Sequence, residues 1–175
     1  MLVDFQFKES YNIDDLLEVM KILRSPEGCP WDKEQTHKSI RQDFIEEVYE
    51  AVEAIDLDDR ELLREELGDV LLQVVFHCRI EEEKNNFAFD DICDELCKKL
   101  IVRHPHVFGQ VTVSGTGEVL RNWDSIKKET KGQETYADTL ESVAKSLPAL
   151  MRAQKLISVT FAVLKLVRSS EVIAQ

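Results

Sequence analysis

Apolar residues recur at spacings of three and four along most of this chain, and this spacing places side chains on one face of an α-helix. The first such segment contains Ile13, Leu16, Leu17, Met20 and Leu23. Residues that interrupt helices are scarce, because the 175 residues include only 6 Gly and 4 Pro. The pattern therefore predicts an all-α fold.

Four helices are expected within residues 1–110. Their ranges are about Asp14 to Leu23, about Ser39 to Ile55, from the turn Asp56–Asp59 to about Glu83, and from Phe89 or Asp90 to Val102. Short connections favour antiparallel neighbours, so these residues are expected to form the antiparallel four-helix bundle of a catalytic domain. Residues 111–175 are expected to form a second region, a loop followed by additional C-terminal helices.

The same sequence patterns predict the loops and the later helices. Glu27 to Asp32 contains two turn-forming residues, and Val107 to Thr116 contains two glycines, so both segments are expected to be loops. Helical patterns return around Glu118 to Lys131 and from about Asp138 onward. The last of them ends in the apolar run Leu156 to Gln175, whose burial against a second subunit would limit aggregation.

Charge and composition narrow the possible partners. The formal net charge is -12, which repels nucleic acids and anionic lipids unless cations reverse it locally. We find neither a signal peptide at the start nor a segment long and apolar enough to span a membrane. Four cysteines are too few for a disulfide scaffold. A cytoplasmic protein that binds neither nucleic acid nor membrane is expected.

Two carboxylate clusters lie on successive predicted helices, Glu46 to Glu50 on the second and Glu65 to Asp69 on the third. At about 100° per residue, each helix has an apolar stripe that is expected to be buried. The stripes are Phe44, Val48, Ala51, Val52 and Ile55 on the second helix, and Leu63, Leu67, Val70, Leu71, Val74 and Cys78 on the third.

The same angles separate the acidic residues into two groups. Glu47 and Glu50 flank the stripe of the second helix, and Glu66 and Asp69 flank the stripe of the third at nearly the same offset. Three other acidic residues point mostly away from the stripes: Glu46, Glu53 and Glu65. Carboxylates converging beside apolar neighbours need compensation, and their oxygens suit Mg²⁺ or Mn²⁺ better than zinc. A solvated acidic face is the alternative.

The chain resembles the MazG branch of the all-α nucleoside triphosphate pyrophosphohydrolases. Three blocks carry the resemblance: Gly28 to Thr36, the signature from Glu46-Glu47-x-x-Glu50 to Glu66-x-x-Asp69 with its continuation to His77, and Arg103 to Phe108. The resemblance covers roughly residues 10–155. It implies metal-dependent hydrolysis of a nucleoside triphosphate to a monophosphate and pyrophosphate, in a homodimer or higher homo-oligomer.

The resemblance also assigns roles to individual residues. It implies that Glu47, Glu50, Glu66 and Asp69 bind Mg²⁺, or Mn²⁺ in its place, and that Glu46 and Glu47 serve catalysis, with Glu46 orienting water. It further implies four residues that contact the nucleotide: Lys99, Arg103, Trp123 and Lys127. Arg suits phosphate because its guanidinium donates two hydrogen bonds at once.

Several alternatives remain open at this stage. The chain could be a helical protein-interaction module, or a MazG-type domain that binds nucleotide and turns it over poorly. Trp31 could stack on a base or, as we favour, close the end of the bundle, and Trp123 could be a core anchor. His77 is expected to be a hydrogen-bonded core residue.

Overall fold

The computed structural model describes residues 5–130 and 135–173, apart from the side chains of residues 128, 136 and 162–173. The chain divides into two compact units, one ending at Leu96 and the other beginning at Cys97. All regular elements within the described residues are α-helices, which confirms the predicted fold class. None of the helices in those ranges is long and apolar enough to cross a membrane.

The helices follow one another with short connections. The first unit contains α1 (Ile13–Leu23), α2 (Pro30–Glu34), α3 (Arg41–Asp56), α4 (Arg60–Glu82) and the start of α5 (Phe89–Arg103). The second unit contains the end of α5 and then α6 (Pro105–Phe108), α7 (Thr116–Thr130), α8 (Tyr136–Glu141) and α9 (Ala149–Ile173). The predicted boundary near residue 110 stays a prediction.

The turn between α3 and α4 sets the relative position of the two carboxylate pairs. Asp58 adopts a left-handed backbone conformation with φ of 52°, which reverses the chain direction. Asp59 then caps α4, because its side chain accepts hydrogen bonds from the backbone N–H groups of Glu61 and Leu62, each at 3.1 Å. Helix α3 packs along α4, and α1 packs against α4.

The core of the first unit lies between α1, α4 and the start of α3. Its buried members are Met20, Ile40, Val75, Phe76 and Ile80. Four partly buried apolar residues pack against them: Leu16, Leu17, Leu72 and Phe89. Burying these side chains supplies the main stabilisation of the unit, at about 1.5–3 kcal/mol for each fully buried large residue.

The predicted helices are confirmed, and the two predicted loops need correction. Helix α2 begins at Pro30, and α6 occupies Pro105–Phe108, so short helices replace parts of the expected loops. Both helices start with proline, whose fixed φ and missing N–H suit the first helical position. Lys131, the predicted end of α7, lies outside the described residues.

The predicted buried stripes of α3 and α4 are wrong in part. Val48, Val52 and Ile55 are 42%, 45% and 60% exposed, and Leu67 is 54% exposed. Ala51, which belongs to the predicted stripe, is buried as expected, and so is Ala54, which lies outside it. The reason is that the side of α4 that carries Glu66 and Phe76 is buried, whereas the side that carries Leu67 is exposed to solvent. Part of the apolar surface therefore remains uncovered within a single chain.

The second unit contains a small packed region between its last two helices. Helix α8 packs against α9, and Val143 is buried. Along α9, four apolar side chains are exposed: Leu150, Met151, Ile157 and Phe161. The sequence predicts that the apolar run beyond Phe161 is buried against a second subunit, and the side chains of this run are not among those described. The four-helix bundle also stays a prediction.

Candidate functional site

The candidate site is built by one carboxylate pair from each of α3 and α4. Glu47 and Glu50 are three residues apart on α3, and Glu66 and Asp69 are three residues apart on α4, so each pair lies on one side of its helix. The helical geometry predicted from the sequence therefore holds for both pairs.

Three of these carboxylates meet. Ligand oxygens of Glu47, Glu66 and Asp69 all lie within 4.8 Å of one another. Glu66 is only 9% exposed, and Glu47 and Asp69 are half-buried. Glu50 is exposed and interacts with both Glu47 and Glu66. The structure thus brings together the four residues that the sequence singles out, three of them tightly.

Burial and mutual repulsion raise the pKa values of two members. Burial is the largest cause for Glu47, followed by the charge of Asp69. Burial is also the largest cause of the raised pKa of Glu66, followed by the charge of Glu50. Among the neighbouring charges, that of Asp69 acts most strongly on Glu47, and that of Glu50 acts most strongly on Glu66. Antiparallel helices produce this pairing, because the start of one carboxylate pair then faces the end of the other. The charged form of the group is disfavoured without a cation.

No basic side chain of the described residues pairs with this carboxylate group, which consists of Glu47, Glu50, Glu66 and Asp69. An oxygen-only donor set of this kind fits a hard divalent cation such as Mg²⁺ or Mn²⁺. Such an ion would compensate the clustered negative charge and lower the raised pKa values.

Glu46 lies outside the group of three. Its side chain is exposed and accepts a hydrogen bond from Gln42 Nε2 at 3.1 Å. Its predicted role in orienting water stays a prediction.

The predicted nucleotide-contacting residues lie in the second unit. Arg103 is 9% exposed, and its guanidinium carbon lies 5.4 Å from the centre of the Trp123 ring. Lys99 and Arg103 line one cavity of about 320 Å³ together with Lys98, Val102 and Thr130. Lys127 lines a different cavity of about 160 Å³. The structure thus groups Lys99, Arg103 and Trp123, and places Lys127 beside another pocket.

His104 joins this aromatic and cationic group, which the sequence reasoning missed. Its ring lies 4.9 Å from the ring of Trp123 at a steep angle. The Nε atom of Arg103 is buried and has no hydrogen-bond partner among the described residues. One sequence feature could have indicated this group. A guanidinium and two imidazoles lie within four residues, in the block Arg103-His104-Pro105-His106.

Two further sequence interpretations concern the first unit. Trp31 is 59% exposed, so the interpretation that it closes the end of the bundle is wrong. It belongs to the first turn of α2, whose residues are all at least partly exposed. His77 is half-buried and hydrogen-bonded as predicted, and its partner is His37, whose Nδ1 lies 2.7 Å from His77 Nδ1.

The carboxylates of α4 are followed by a buried amide on the same side. Gln73 is one turn beyond Asp69 and is 7% exposed. Its Oε1 has no hydrogen-bond partner among the described residues. No sequence pattern singles out this residue, because a lone glutamine on a helix is usually exposed.

Comparison with known proteins supports the resemblance. Residues 35–108 match the MazG nucleotide pyrophosphohydrolase domain. The nucleoside triphosphate pyrophosphohydrolase of Escherichia coli K12 is 48% identical over 145 residues, which are 82% of this chain and 55% of that protein. The pyrophosphohydrolase/pyrophosphatase MazG of Thermotoga maritima is 43% identical over 143 residues, 82% of this chain and 54% of that protein.

Two more similarities bear on length and fold. The uncharacterized protein YabN of Bacillus subtilis is 49% identical over 138 residues, which are 79% of this chain and 28% of that protein. The chain therefore spans about half the length of the E. coli and T. maritima relatives and less of YabN.

A solved structure supports the fold. The crystal structure of a mazG-related protein from T. maritima matches with a TM-score of 0.56 at 23% identity, covering 66% of this chain and 99% of that one. By the domain match and by its identity to the E. coli relative, the chain contains a MazG nucleotide pyrophosphohydrolase domain over residues 35–108.

Proposed function

We propose that this chain hydrolyses nucleoside triphosphates to nucleoside monophosphate and pyrophosphate in the presence of Mg²⁺ or Mn²⁺. The observation that carries the proposal is the meeting of Glu47, Glu66 and Asp69 oxygens within 4.8 Å on two packed helices. The printed names of the E. coli and T. maritima relatives support the substrate class. The biological role that fits this chemistry is control of the nucleotide pool.

The carboxylates would hold the cation, with Glu47, Glu66 and Asp69 as the inner group and Glu50 beside them. When bound, a divalent ion screens phosphate charge and makes bound water more acidic. In the net reaction, water oxygen bonds to the α-phosphorus as the bond to the bridging oxygen of the β-phosphate breaks. We assign Glu46 to orient that water, because its exposed carboxylate adjoins Glu47 in the chain.

The cationic and aromatic residues of the second unit would bind the nucleotide. Lys99 and Arg103 can neutralise phosphate charge, and the guanidinium of Arg103 can donate paired hydrogen bonds. Trp123 offers an aromatic face for a base, and Lys127 an additional positive charge. These roles rest on the family resemblance and on the contact of Arg103 with Trp123.

Pyrophosphate release tests the proposed reaction. Purified chain is incubated with a panel of nucleoside triphosphates, with and without Mg²⁺, and with Mn²⁺ as the second ion. Glu47→Gln and Asp69→Asn should each lower turnover by about 100-fold or more, because each removes negative charge from the cation site. Glu53→Gln is the matched control, since Glu53 is exposed on α3 and outside the cluster.

The outcomes separate the enzyme from its alternatives. Turnover that survives both cluster substitutions, in variants with unchanged helical content, would refute the ligand assignment. Nucleotide binding without turnover would identify a catalytically weak binding domain instead. Absence of both would favour a helical interaction module.

We also propose that the chain forms a homodimer or a higher homo-oligomer through α3 and α4. Val48, Val52 and Ile55 on α3 and Leu67 and Leu71 on α4 are each at least 37% exposed in the single chain. Apolar side chains on neighbouring turns of two packed helices form the kind of surface that a second copy can cover.

A cytoplasmic location is proposed on the basis of the thiols. Cys29, Cys78, Cys93 and Cys97 are all free. Reduced cysteines are stable in a reducing compartment.

A further inference from the structure

A second polar cluster lies further along α4, outside the carboxylate site. His77 on α4 and His37, in the connection between α2 and α3, approach each other through their Nδ1 atoms at 2.7 Å. Their rings are nearly parallel, at 19°, with centres 5.0 Å apart. The Phe44 ring lies 5.5 Å from His77 and covers one side of the pair.

Glu81 fixes the orientation of one of these rings. Its Oε1 lies 2.5 Å from His37 Nε2, and the same carboxylate also binds Lys84 Nζ at 2.7 Å and Asn86 Nδ2 at 2.6 Å. Hydrogen bonds from Lys84, Asn86 and His37 lower the pKa of Glu81 to about 2, with Lys84 the largest cause. Glu81 is therefore ionised at neutral pH and accepts a hydrogen bond from His37 Nε2–H.

This orientation fixes the position of the proton when His37 carries only one. That proton then lies on Nε2, and Nδ1 is bare. His77 must then donate its Nδ1–H to that atom, and this places one proton between the two nitrogens. Burial lowers the pKa of His77, with a smaller contribution from His37, so His77 is neutral at neutral pH.

We propose that His37 and His77 form a binding site for a borderline transition-metal ion, of the class of Zn²⁺, Ni²⁺ or Cu²⁺, in which the ion replaces the proton between the two Nδ1 atoms. Neutral imidazole is a preferred ligand of these ions. A ligating histidine usually donates its other N–H to a carboxylate, and His37 already donates Nε2–H to Glu81.

The two rings must separate slightly and turn to accept the ion. Metal–nitrogen bonds of about 2.0–2.1 Å at an angle of roughly 90–110° place two ligand nitrogens about 3 Å apart, somewhat more than the present 2.7 Å, and the ion then lies to one side of the line between the two Nδ1 atoms. The displaced proton of His77 moves from Nδ1 to Nε2 through solvent, so that no net proton is released. The His37 side chain is 39% exposed, which leaves room for water in the remaining coordination positions.

The proposed site differs from the carboxylate cluster in position and in ligand chemistry. His77 is eight residues beyond Asp69 on α4, a rise of about 12 Å along the helix axis. The cluster offers only oxygen atoms, which suit Mg²⁺, whereas this site offers two imidazole nitrogens. His37 belongs to the connection before α3 and His77 belongs to α4, so the bound ion would cross-link this connection and α4.

Calorimetric titration of the untagged full chain with Ni²⁺ tests the proposal. A large excess of Mg²⁺ is present throughout, so that the carboxylate cluster is occupied. We expect one Ni²⁺ per chain, loss of this binding step in His37→Gln and in His77→Gln, and about 10- to 100-fold weaker binding in Glu81→Gln. The double variant His104→Gln/His106→Gln is the matched control, because it removes another adjacent histidine pair and should bind Ni²⁺ as the parent does.

The position of the bound Ni²⁺ is measured on the parent chain by nuclear magnetic resonance, without any substitution. Imidazole ¹H–¹⁵N spectra of the parent chain should show paramagnetic shifts of the His37 and His77 signals on Ni²⁺ addition. Equal Ni²⁺ affinity in parent, His37→Gln and His77→Gln would overturn the proposal. So would shifts confined to His104 and His106. Circular dichroism of each variant establishes that a lost binding step does not come from a lost fold.

Discussion

Arg24, just after the end of α1, donates two hydrogen bonds to the carboxylate of Glu83, just after the end of α4, each at 2.9 Å. The same guanidinium donates to the backbone carbonyls of Asp32 and Gln35 and lies over the Phe76 ring, with its carbon 5.3 Å from the ring centre. One side chain therefore joins α1, α2 and α4. The Arg24 side chain is only 5% exposed, whereas the Glu83 side chain is 30% exposed, so the guanidinium is the buried partner of this pair.

Arg24→Met should lower the free energy of unfolding by about 3 kcal/mol. The methionine keeps much of the apolar contact with Phe76, but it removes the paired hydrogen bonds to Glu83, which retains only Arg79 as a cationic partner, and the bonds to the two carbonyls. Chemical denaturation followed by circular dichroism measures the change. Lys21→Met is the control, because Lys21 forms an exposed ion pair with Glu18 and should change stability by less than about 1 kcal/mol. An equal decrease in the free energy of unfolding in both variants would show that the Arg24 contacts stabilise the protein no more than an exposed ion pair does.

Mg²⁺ should stabilise the protein more at about pH 8 than at about pH 5. The pKa values of Glu47 and Glu66 are raised, so the folded chain without metal binds more protons than the unfolded chain above the ordinary glutamate pKa. Its stability therefore falls as the pH rises through the raised pKa values. A bound cation removes this loss because it favours the ionised carboxylates. Thermal unfolding with and without Mg²⁺ at both pH values measures the difference.

Glu66→Gln provides the internal test of that explanation. In the absence of metal this variant should be at least as stable as the parent at about pH 8, because one repelling charge has gone. The same substitution should reduce the stabilisation by Mg²⁺. A parent and a variant that respond equally to Mg²⁺ would mean that the ion binds elsewhere.

The positions of the carboxylates could be predicted from the sequence, and their packing could not. Glu66 and Asp69 are three residues apart, so helical geometry alone places them together. The exposure of Val52 and Leu67 could not be predicted, because an apolar stripe looks the same whether its own chain or another covers it. The contact of His37 with His77 joins residues 40 apart, and no local pattern links them. Trp31 lies in the first turn of α2, and the Gly28-Cys29-Pro30-Trp31 pattern does not distinguish a loop from a helix that begins at Pro30.

The contribution of neutral His77 to stability should be lost as the pH falls below about 6.5. Burial lowers the pKa of His77, and the charge of His37 lowers it further. The unfolded chain therefore binds more protons than the folded chain between the lowered pKa and the ordinary value of about 6.5. Stability rises with pH across this interval and is lost as the pH falls through it. Two protonated rings could not keep their Nδ1 atoms 2.7 Å apart.

Denaturation of parent and His77→Phe at several pH values measures this contribution. The phenylalanine ring retains stacking against His37 and Phe44 and cannot take up a proton. The free energy of unfolding should depend less steeply on pH in this variant than in the parent between about pH 7 and pH 5. His104→Phe serves as the comparison, since His104 is hydrogen-bonded to the Leu100 carbonyl in the other unit. Identical pH profiles for parent and His77→Phe would contradict the prediction.

Val52→Glu should separate the subunits of the proposed oligomer. Val52 lies on α3 among exposed apolar side chains, and it is close in the helix to Val48 and Ile55. A glutamate there would have to lose its water without gaining a partner when two such faces meet, so the dissociation constant should rise by about 100-fold or more. Analytical ultracentrifugation measures the change, with the exposed neighbour Glu53→Gln as control. A parent chain that remains monomeric at every concentration, or a Val52→Glu variant that associates as the parent does, would show that this face is not the interface.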